Sequence, residues 1–510
     1  MKSQVKIGSI LSYVVIVLNI LVGLIYTPIM LRIMGQSEYG TYSLISSIIG
    51  YLTVLDLGFG NAIIIYTSRY RAKNQKEQQS KLNGMFLIIY SIIGIVAGVM
   101  GAILYNNVDK LFGSTMTIQE LQTAKTMTLV LIINLIFTFP LSIFGSIITA
   151  YEKFIFSKVV NILRIILMPC IMIPLLYMGH RSVTMTIVTT ILNLSCLFIN
   201  LIYCLKVIKI KFKFGKFDTK LLKEIFGYSF FIFLAIIVDK INLNIDQFIL
   251  GSVIGTAEVA LYTVAAQIHT IYISLSTAIN GVLLPKITML VENKESDEKI
   301  SDIFIQTGRL QYIIMALITT GFIIFGQEFI RIWAGVGYEK SYWTELILMV
   351  PALVPLIQNV GINILQAKNM HKFRTVVYFF IAIANLFISI PLAKKFGSIG
   401  SAIGTSIACL AGQWIIMNIY YYKKANLDIP RFWKNIFKMS IPIIIIFIPT
   451  CIFNNIYQSS SIIIIAIKIL IYTLIYSVLL WNFSLNDYEK DLIKKPINKI
   501  LKKLNNIIFN

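Results

Sequence analysis

Residues 7–34 read IGSILSYVVIVLNILVGLIYTPIMLRIM and residues 40–66 read GTYSLISSIIGYLTVLDLGFGNAIIIY, with only Gly35, Gln36, Ser37, Glu38 and Tyr39 between them. A helix crosses the hydrocarbon layer of a bilayer with about 20 mostly apolar residues. Each stretch therefore suffices for one crossing, and the polar break for a reversal. The alternation continues to Phe483, with further stretches at 84–106, 124–149, 159–178, 182–205, 225–252, 260–284, 303–326, 344–366, 375–393, 398–421, 436–456 and 461–483. The expected fold is an all-α polytopic membrane protein of about fourteen spans. Lipid offers the backbone no hydrogen bonds, so spans are helices or closed barrels, and the alternating ten-residue strands of a barrel are missing.

Composition points the same way. The chain of 510 residues is 57% hydrophobic and 13% charged, with a mean hydropathy of +0.79, which excludes an ordinary soluble protein. The net charge of +22 would suggest a nucleic-acid partner in a soluble chain. Here the basic residues sit in short loops, where they act as topology signals. With both termini cytoplasmic, about 33 of the 45 Lys and Arg fall on the inner side, about eight outside and about four within spans. The densest groups are Arg69, Arg71, Lys73, Lys76 and Lys81; then Lys206, Lys209, Lys211, Lys213, Lys216, Lys220 and Lys223; then the tail from Lys490 to Lys503. They read as lying against anionic head groups of the membrane lipids, and no folded module presents them to nucleic acid. The N-terminus, with Lys2 and Lys6 before a long span, reads as an uncleaved first helix.

Cys170, Cys196, Cys204, Cys409 and Cys451 lie in or at the ends of spans without paired spacing, which supports neither a disulfide frame nor a metal site. No Gly-rich phosphate loop, aqueous carboxylate pair or His cluster is present, so neither a cofactor nor enzyme chemistry is expected. An ATP-driven pump is disfavoured for the same reason. A membrane polymerase or acyltransferase is expected to carry catalytic residues in a large external loop, and the external loops are short.

A weak internal repeat organises the spans. Gly35-Gln36-Ser37-Glu38-Tyr39-Gly40-Thr41-Tyr42 aligns with Gly255-Thr256-Ala257-Glu258-Val259-Ala260-Leu261-Tyr262, matching Gly, Glu and Tyr at one constant offset. The same offset sets Gly60-Asn61 beside Asn280-Gly281, and Glu152-Lys153-Phe154 pairs with His371-Lys372-Phe373. The offset covers an even number of spans, which makes the halves parallel repeats. The expected organisation is a first six-helix bundle at 1–205, a basic cytoplasmic linker at 206–224, a second bundle at 225–422, two additional spans at 423–483 and a basic tail at 484–510. Pro28, Pro140, Pro169, Pro174, Pro351 and Pro355 fall in or near spans, where each frees a carbonyl and permits a kink.

The segment TPIMLRIMGQSEYGTYSLISSIIGYLTVLDLGFG, ending at Gly60, resembles the start of a Wzx-type polysaccharide flippase, of the superfamily that also holds MurJ-type lipid II flippases and MATE exporters. Pro28, Arg32, Gly35, Tyr39-Gly40, Asp56 and Gly58 carry the match. Residues 246–262, DQFILGSVIGTAEVALY, resemble the equivalent stretch of the second half. The resemblance covers roughly the first 420 residues. It implies two six-helix bundles around a central cavity that opens alternately to each side. It further implies export of undecaprenyl-diphosphate-linked oligosaccharide units across the bacterial cytoplasmic membrane, with polymerase and chain-length machinery as partners. The alternatives are a lipid II or other wall-precursor flippase, and a MATE-like cation-coupled exporter of small molecules.

Ionisable residues within spans mark candidate sites, since each costs roughly 2.5–3.5 kcal/mol at mid-membrane on insertion scales. In the seventh span Asp239, Asn242 and Asp246 share one helical face, and Lys240, Asn244 and Gln247 the next. The polar stripe reads as cavity-lining, with structural pairing as the plainer reading. Arg309 in the ninth span has a guanidinium fork that matches a diphosphate, but its position also suits snorkelling to the interface. Arg164 shares this ambiguity. Arg32, carried by the resemblance, is a substrate contact or a helix-end anchor. His269 can titrate near neutral pH but, alone on an apolar helix, equally reads as a packing residue. Asp239 and Asp246 lie roughly 10 Å apart at 1.5 Å per residue, too far to hold one ion together. Asp246, with no adjacent basic residue, is the better candidate for ion coupling. Asp56 is expected to organise a break in the second span, and Lys468 to snorkel or pair.

Overall fold

The computed structural model describes residues 2–215, 219–280, 284–293, 295–492 and 494. Among these the regular secondary structure is all helical, without strands. The helices are α1 (Lys2–Leu52), α2 (Phe59–Ala72), α3 (Lys76–Phe112), α4 (Ile118–Ala150), α5 (Phe154–Tyr177), α6 (Ser182–Tyr203), α7 (Thr219–Val253), α8 (Thr256–Asn280) and α9 (Leu284–Glu292). There follow α10 (Asp297–Trp333), α11 (Glu339–Ile357), α12 (Val360–Ala367), α13 (His371–Phe396), α14 (Ser398–Cys409), α15 (Met417–Lys423), α16 (Ile429–Ile456) and α17 (Ile462–Phe483). Packing divides them into two compact units, the first comprising Met1–Gln267 with Tyr378–Thr405 and the second Ile268–Val377 with Ser406–Asn510.

Twelve helical stretches among the described residues are long and apolar enough to span a membrane. One of them, Ile10–Ala72, covers most of the first expected span and all of the second; at 63 residues it is about three bilayer thicknesses long. It is interrupted at Gly35, whose φ of 76° only glycine adopts freely, and again at the 3₁₀ turn Thr53–Asp56. The seventh expected span is α7, many of whose side chains lie outside the described residues.

The surface is that of a protein solvated by lipid. On α17, Ile465, Tyr472, Tyr476 and Leu480 are buried at helical spacing, while Ile463, Leu470, Leu474 and Val478 are exposed. The buried stripe packs on α10 through the Tyr472 hydroxyl, which donates to Thr320 Oγ1 at 2.8 Å, and the Tyr476 hydroxyl, which donates to the Ile313 carbonyl at 2.8 Å.

Two of the prolines free carbonyls as expected. In α11, Pro351 and Pro355 lack the N–H groups that would bond the carbonyls of Ile347 and Pro351. Both freed oxygens find side-chain donors, Ser406 Oγ at 2.6 Å and Trp414 Nε1 at 2.7 Å. Asp56 also lies at the expected break. The chain turns through left-handed Leu57 and Gly58, and Tyr90 holds Asp56 Oδ1 at 2.7 Å.

The internal repeat has a physical counterpart within the first unit. Gly35 and Gly255 both have positive φ, 76° and 136°. Three residues later stand Glu38 and Glu258, each of which caps a distant helix. Glu38 Oε1 accepts from the backbone N–H of Ser182 at 3.0 Å and its hydroxyl at 2.7 Å; Glu258 Oε2 accepts from the N–H of Ser398 at 2.8 Å. Ser182 and Ser398 open α6 and α14. An acid at a helix N-terminus meets unsatisfied N–H groups and the positive end of the dipole. Bonds to charged groups are worth about 1.5–3 kcal/mol, so Glu38→Ala and Glu258→Ala should each lower stability by about that amount. Thermal melting of the purified variants checks this; melting like that of wild type would remove the capping role.

Candidate functional site

Asp246, on α7, is fully buried and accepts three hydroxyl bonds: from Tyr262 at 2.6 Å, Ser401 at 2.5 Å and Thr405 at 3.0 Å. Tyr262 is on α8. Ser401 and Thr405 are one turn apart on α14 and share a face. Behind them, Asn385 of α13 donates to Thr405 Oγ1 at 3.2 Å, and Ser389 donates to Asn385 Oδ1 at 2.8 Å.

The cage depends on a close helix pair. Residues 400–404 read GSAIG, a small-xxx-small pattern that lets helix backbones meet. A Cβ on Gly404 would lie 2.2 Å from Ser389 Oγ, and one on Gly400 2.0 Å from the Leu392 carbonyl. The residues following these glycines, Ser401 and Thr405, are the two that reach Asp246.

The first half provides an internal comparison. The offset that pairs Tyr42 with Tyr262 pairs Tyr26 with Asp246, and the offset that pairs Ser182 with Ser398 pairs Met185 with Ser401 and Thr189 with Thr405. The corresponding contact is retained, since the Tyr26 hydroxyl meets Met185 Sδ at 3.5 Å, but the charge and the donor are gone. Only the second-half cage carries an acid. One carboxylate ringed by hydroxyl and amide oxygens suits a proton or a monovalent hard cation; divalent sites take more charge, and no three His, Cys, Asp or Glu gather among the described residues.

The other candidates separate. Lys240 is half-buried, and no ion-pair partner reaches it among the described residues. Asn244 is half-buried, its carbonyl accepting from Ser47 Oγ at 3.2 Å. The side chains of Asp239 and Asn242 lie outside the described residues. Arg164, exposed on α5, donates to Asn193 Oδ1 at 3.3 Å; Asn193 in turn donates to Asn134 Oδ1 and Thr138 Oγ1, both at 2.9 Å. Arg32 is exposed.

Arg309 departs from the expected cavity role. It is buried, and its Nε and Nη2 form a fork–fork pair with Glu489 at 2.6 and 2.8 Å. Nη2 also donates to the Ser484 carbonyl at 2.9 Å and Nη1 to Asn435 Oδ1 at 3.1 Å. The guanidinium is taken up by the protein, where it ties α10 to α16 and the segment after α17. Lys468 pairs too, 3.4 Å from Glu328 and 2.8 Å from Asn454 Oδ1, and also donates to the Tyr457 carbonyl. His269 faces Glu345, with Nδ1 3.3 Å from Oε1.

Residues 5–291, more than half of the chain, match the model of a family described as polysaccharide biosynthesis protein. The chain belongs to that family. A putative O-antigen transporter of Shigella flexneri is 20% identical over 396 residues, covering 76% of this chain and 91% of that protein. Among solved structures, the lipid II flippase MurJ in an inward closed conformation superposes with a TM-score of 0.72 at 18% identity, covering 96% of this chain and 100% of that one. An inward-facing multidrug resistance MATE family transporter of the MOP superfamily gives 0.65 at 15%, covering 79% and 96%. At these identities the structural likeness shows the fold. Together with the family it bears out the resemblance read from Pro28–Gly60. This member of the polysaccharide biosynthesis protein family is a multi-pass membrane transporter or flippase.

Proposed function

We propose that the chain moves undecaprenyl-diphosphate-linked oligosaccharide units from the inner to the outer leaflet of a bacterial cytoplasmic membrane by alternating access, for surface polysaccharide export. The observation that carries this reading is the family match over residues 5–291, supported by the similarity to an O-antigen transporter across most of its length. Compensating a diphosphate away from water requires cations. Lys240, Arg164 and Arg32 are the remaining candidates now that Arg309 is paired within the protein. The Asp246 cage is the coupling site, taking a proton or sodium ion, and the acceptor of the exported unit is the polymerase with its chain-length partner.

In a deletion strain, mass spectrometry should find complete lipid-linked repeat units accumulating while surface polysaccharide is lost. The TM-score of 0.72 to a lipid II flippase favours one second reading, a wall-precursor flippase, and accumulation of lipid II in that strain would select it.

The proposed topology puts both termini and the 206–224 linker in the cytoplasm, on the strength of their lysines. Single cysteines placed there should resist an impermeant thiol reagent in intact cells and react after lysis. Rapid labelling in intact cells would invert the topology.

A further inference from the structure

A further buried acid lies in the second unit, outside the Asp246 cage. Glu345, on α11, has no exposed surface, while His269, on α8, keeps 19% of its side chain accessible. Oε1 of Glu345 meets His269 Nδ1 at 3.3 Å, and Oε2 has no hydrogen-bond partner. No lysine or arginine reaches either group among the described residues. Among the described residues the other titratable group beside the pair is a tyrosine. Tyr272 of α8 lies 6.4 Å ring to ring from His269, with its hydroxyl bonded to Thr319 of α10 at 2.8 Å; Tyr312 of α10 neighbours Tyr272 rather than the pair and is bonded to Ser440 at 2.6 Å.

We propose that His269 and Glu345 form a binding site for one proton, with the histidine as its accessible half and the glutamate as its buried half. Three facts carry this. An ionised carboxylate within spanning helices, with one oxygen unbonded and only an imidazole beside it, is strongly disfavoured. Once Nε2 carries a proton, the proton shared between Nδ1 and Oε1 leaves the pair without net charge, whether it rests on the acid or on the ring. The partly exposed ring supplies the route: a proton arriving at Nε2 is matched by passage of the Nδ1 proton to Oε1, so the ring ends neutral in its other tautomer and Glu345 ends protonated. The offset that pairs Tyr42 with Tyr262 sets Ile49 opposite His269, so the device belongs to the second half alone.

Proton binding here does not depend on what is carried; its place in a transport cycle rests on the flippase reading. The test is infrared difference spectroscopy of the purified full-length chain in lipid vesicles, stepped between neutral and acid pH without substrate. Wild type should develop a carbonyl band of a protonated carboxylic acid. Glu345→Gln should lose that band and take up about one proton fewer per chain. Asp246→Asn should retain it, which separates this site from the hydroxyl cage. His269→Gln keeps the acid but changes its partner, so the band should move; this readout stands even where Glu345→Gln fails to fold. A Glu345→Gln spectrum identical to wild type, or a band unmoved in His269→Gln, overturns the proposal. Both readouts are independent of the lipid intermediates in a deletion strain, so either reading can fail alone.

Discussion

Arg309→Ala is expected to destabilise the second unit by about 3–5 kcal/mol, because it leaves the carboxylate of Glu489 buried and unpaired. Glu489 is 2% exposed, and its other contacts are local: Asn486 N–H donates to Oε2 at 3.0 Å, while Glu489 N–H donates to Asn486 Oδ1 at 2.8 Å. This reciprocal pattern caps residues 487–492 but does not neutralise the charge. The segment after α17 should therefore detach from α10, visible as a lower melting temperature and as new protease sensitivity after Phe483. The double variant Arg309→Met with Glu489→Leu removes both charges and should recover most of the loss, since apolar replacement of a buried pair is often neutral or stabilising. Transport decides between the two roles of Arg309. A well-folded double variant that exports normally makes the arginine a structural tie; one that folds but cannot export would return it to the substrate path.

Asp246→Asn is expected to abolish the gradient-dependent part of transport while sparing exchange without a gradient. The amide keeps the size of the carboxylate but removes the only charge in the cage. Loss of more than 1.4 kcal/mol of ion binding is already tenfold, so the driven rate should fall at least about tenfold. Ser401→Ala and Thr405→Ala each remove one bond to a charged group, worth about 1.5–3 kcal/mol, and should weaken coupling by smaller steps. The measurement is transport in sealed vesicles under an imposed proton or sodium gradient. An unchanged gradient response in Asp246→Asn would remove this residue from the mechanism.

What could be read in advance follows from the range of each interaction. Spans, the carbonyls freed by prolines and the Gly35 and Gly255 breaks are set by neighbouring residues and by the solvent, so hydropathy and residue type reveal them. Asp246 stood out for the same reason, as a charge where lipid penalises one. Its partners did not. Ser401 and Thr405 are 155 and 159 residues away, and a lone serine in an apolar helix carries no signal of what it faces. The small-residue pattern at 400–404 was the one available hint, because it marks where a helix is approached closely. Arg309 shows the opposite failure. Its partner, 180 residues on, lies in a tail dominated by lysines, where an isolated glutamate reads as solvated charge. Glu345 carries no signal in the sequence because it sits one residue inside its span, where an acid ordinarily reaches water.

The central claim, that this chain carries a diphosphate-linked oligosaccharide across a bilayer, is tested most directly with the purified protein in sealed vesicles containing that lipid in both leaflets. An impermeant sugar-modifying enzyme is added outside. The account predicts that nearly all of the lipid-linked oligosaccharide becomes modified when the protein is present, and only the outer-leaflet share when it is absent. Modification that stops at the outer-leaflet share in both cases would contradict it.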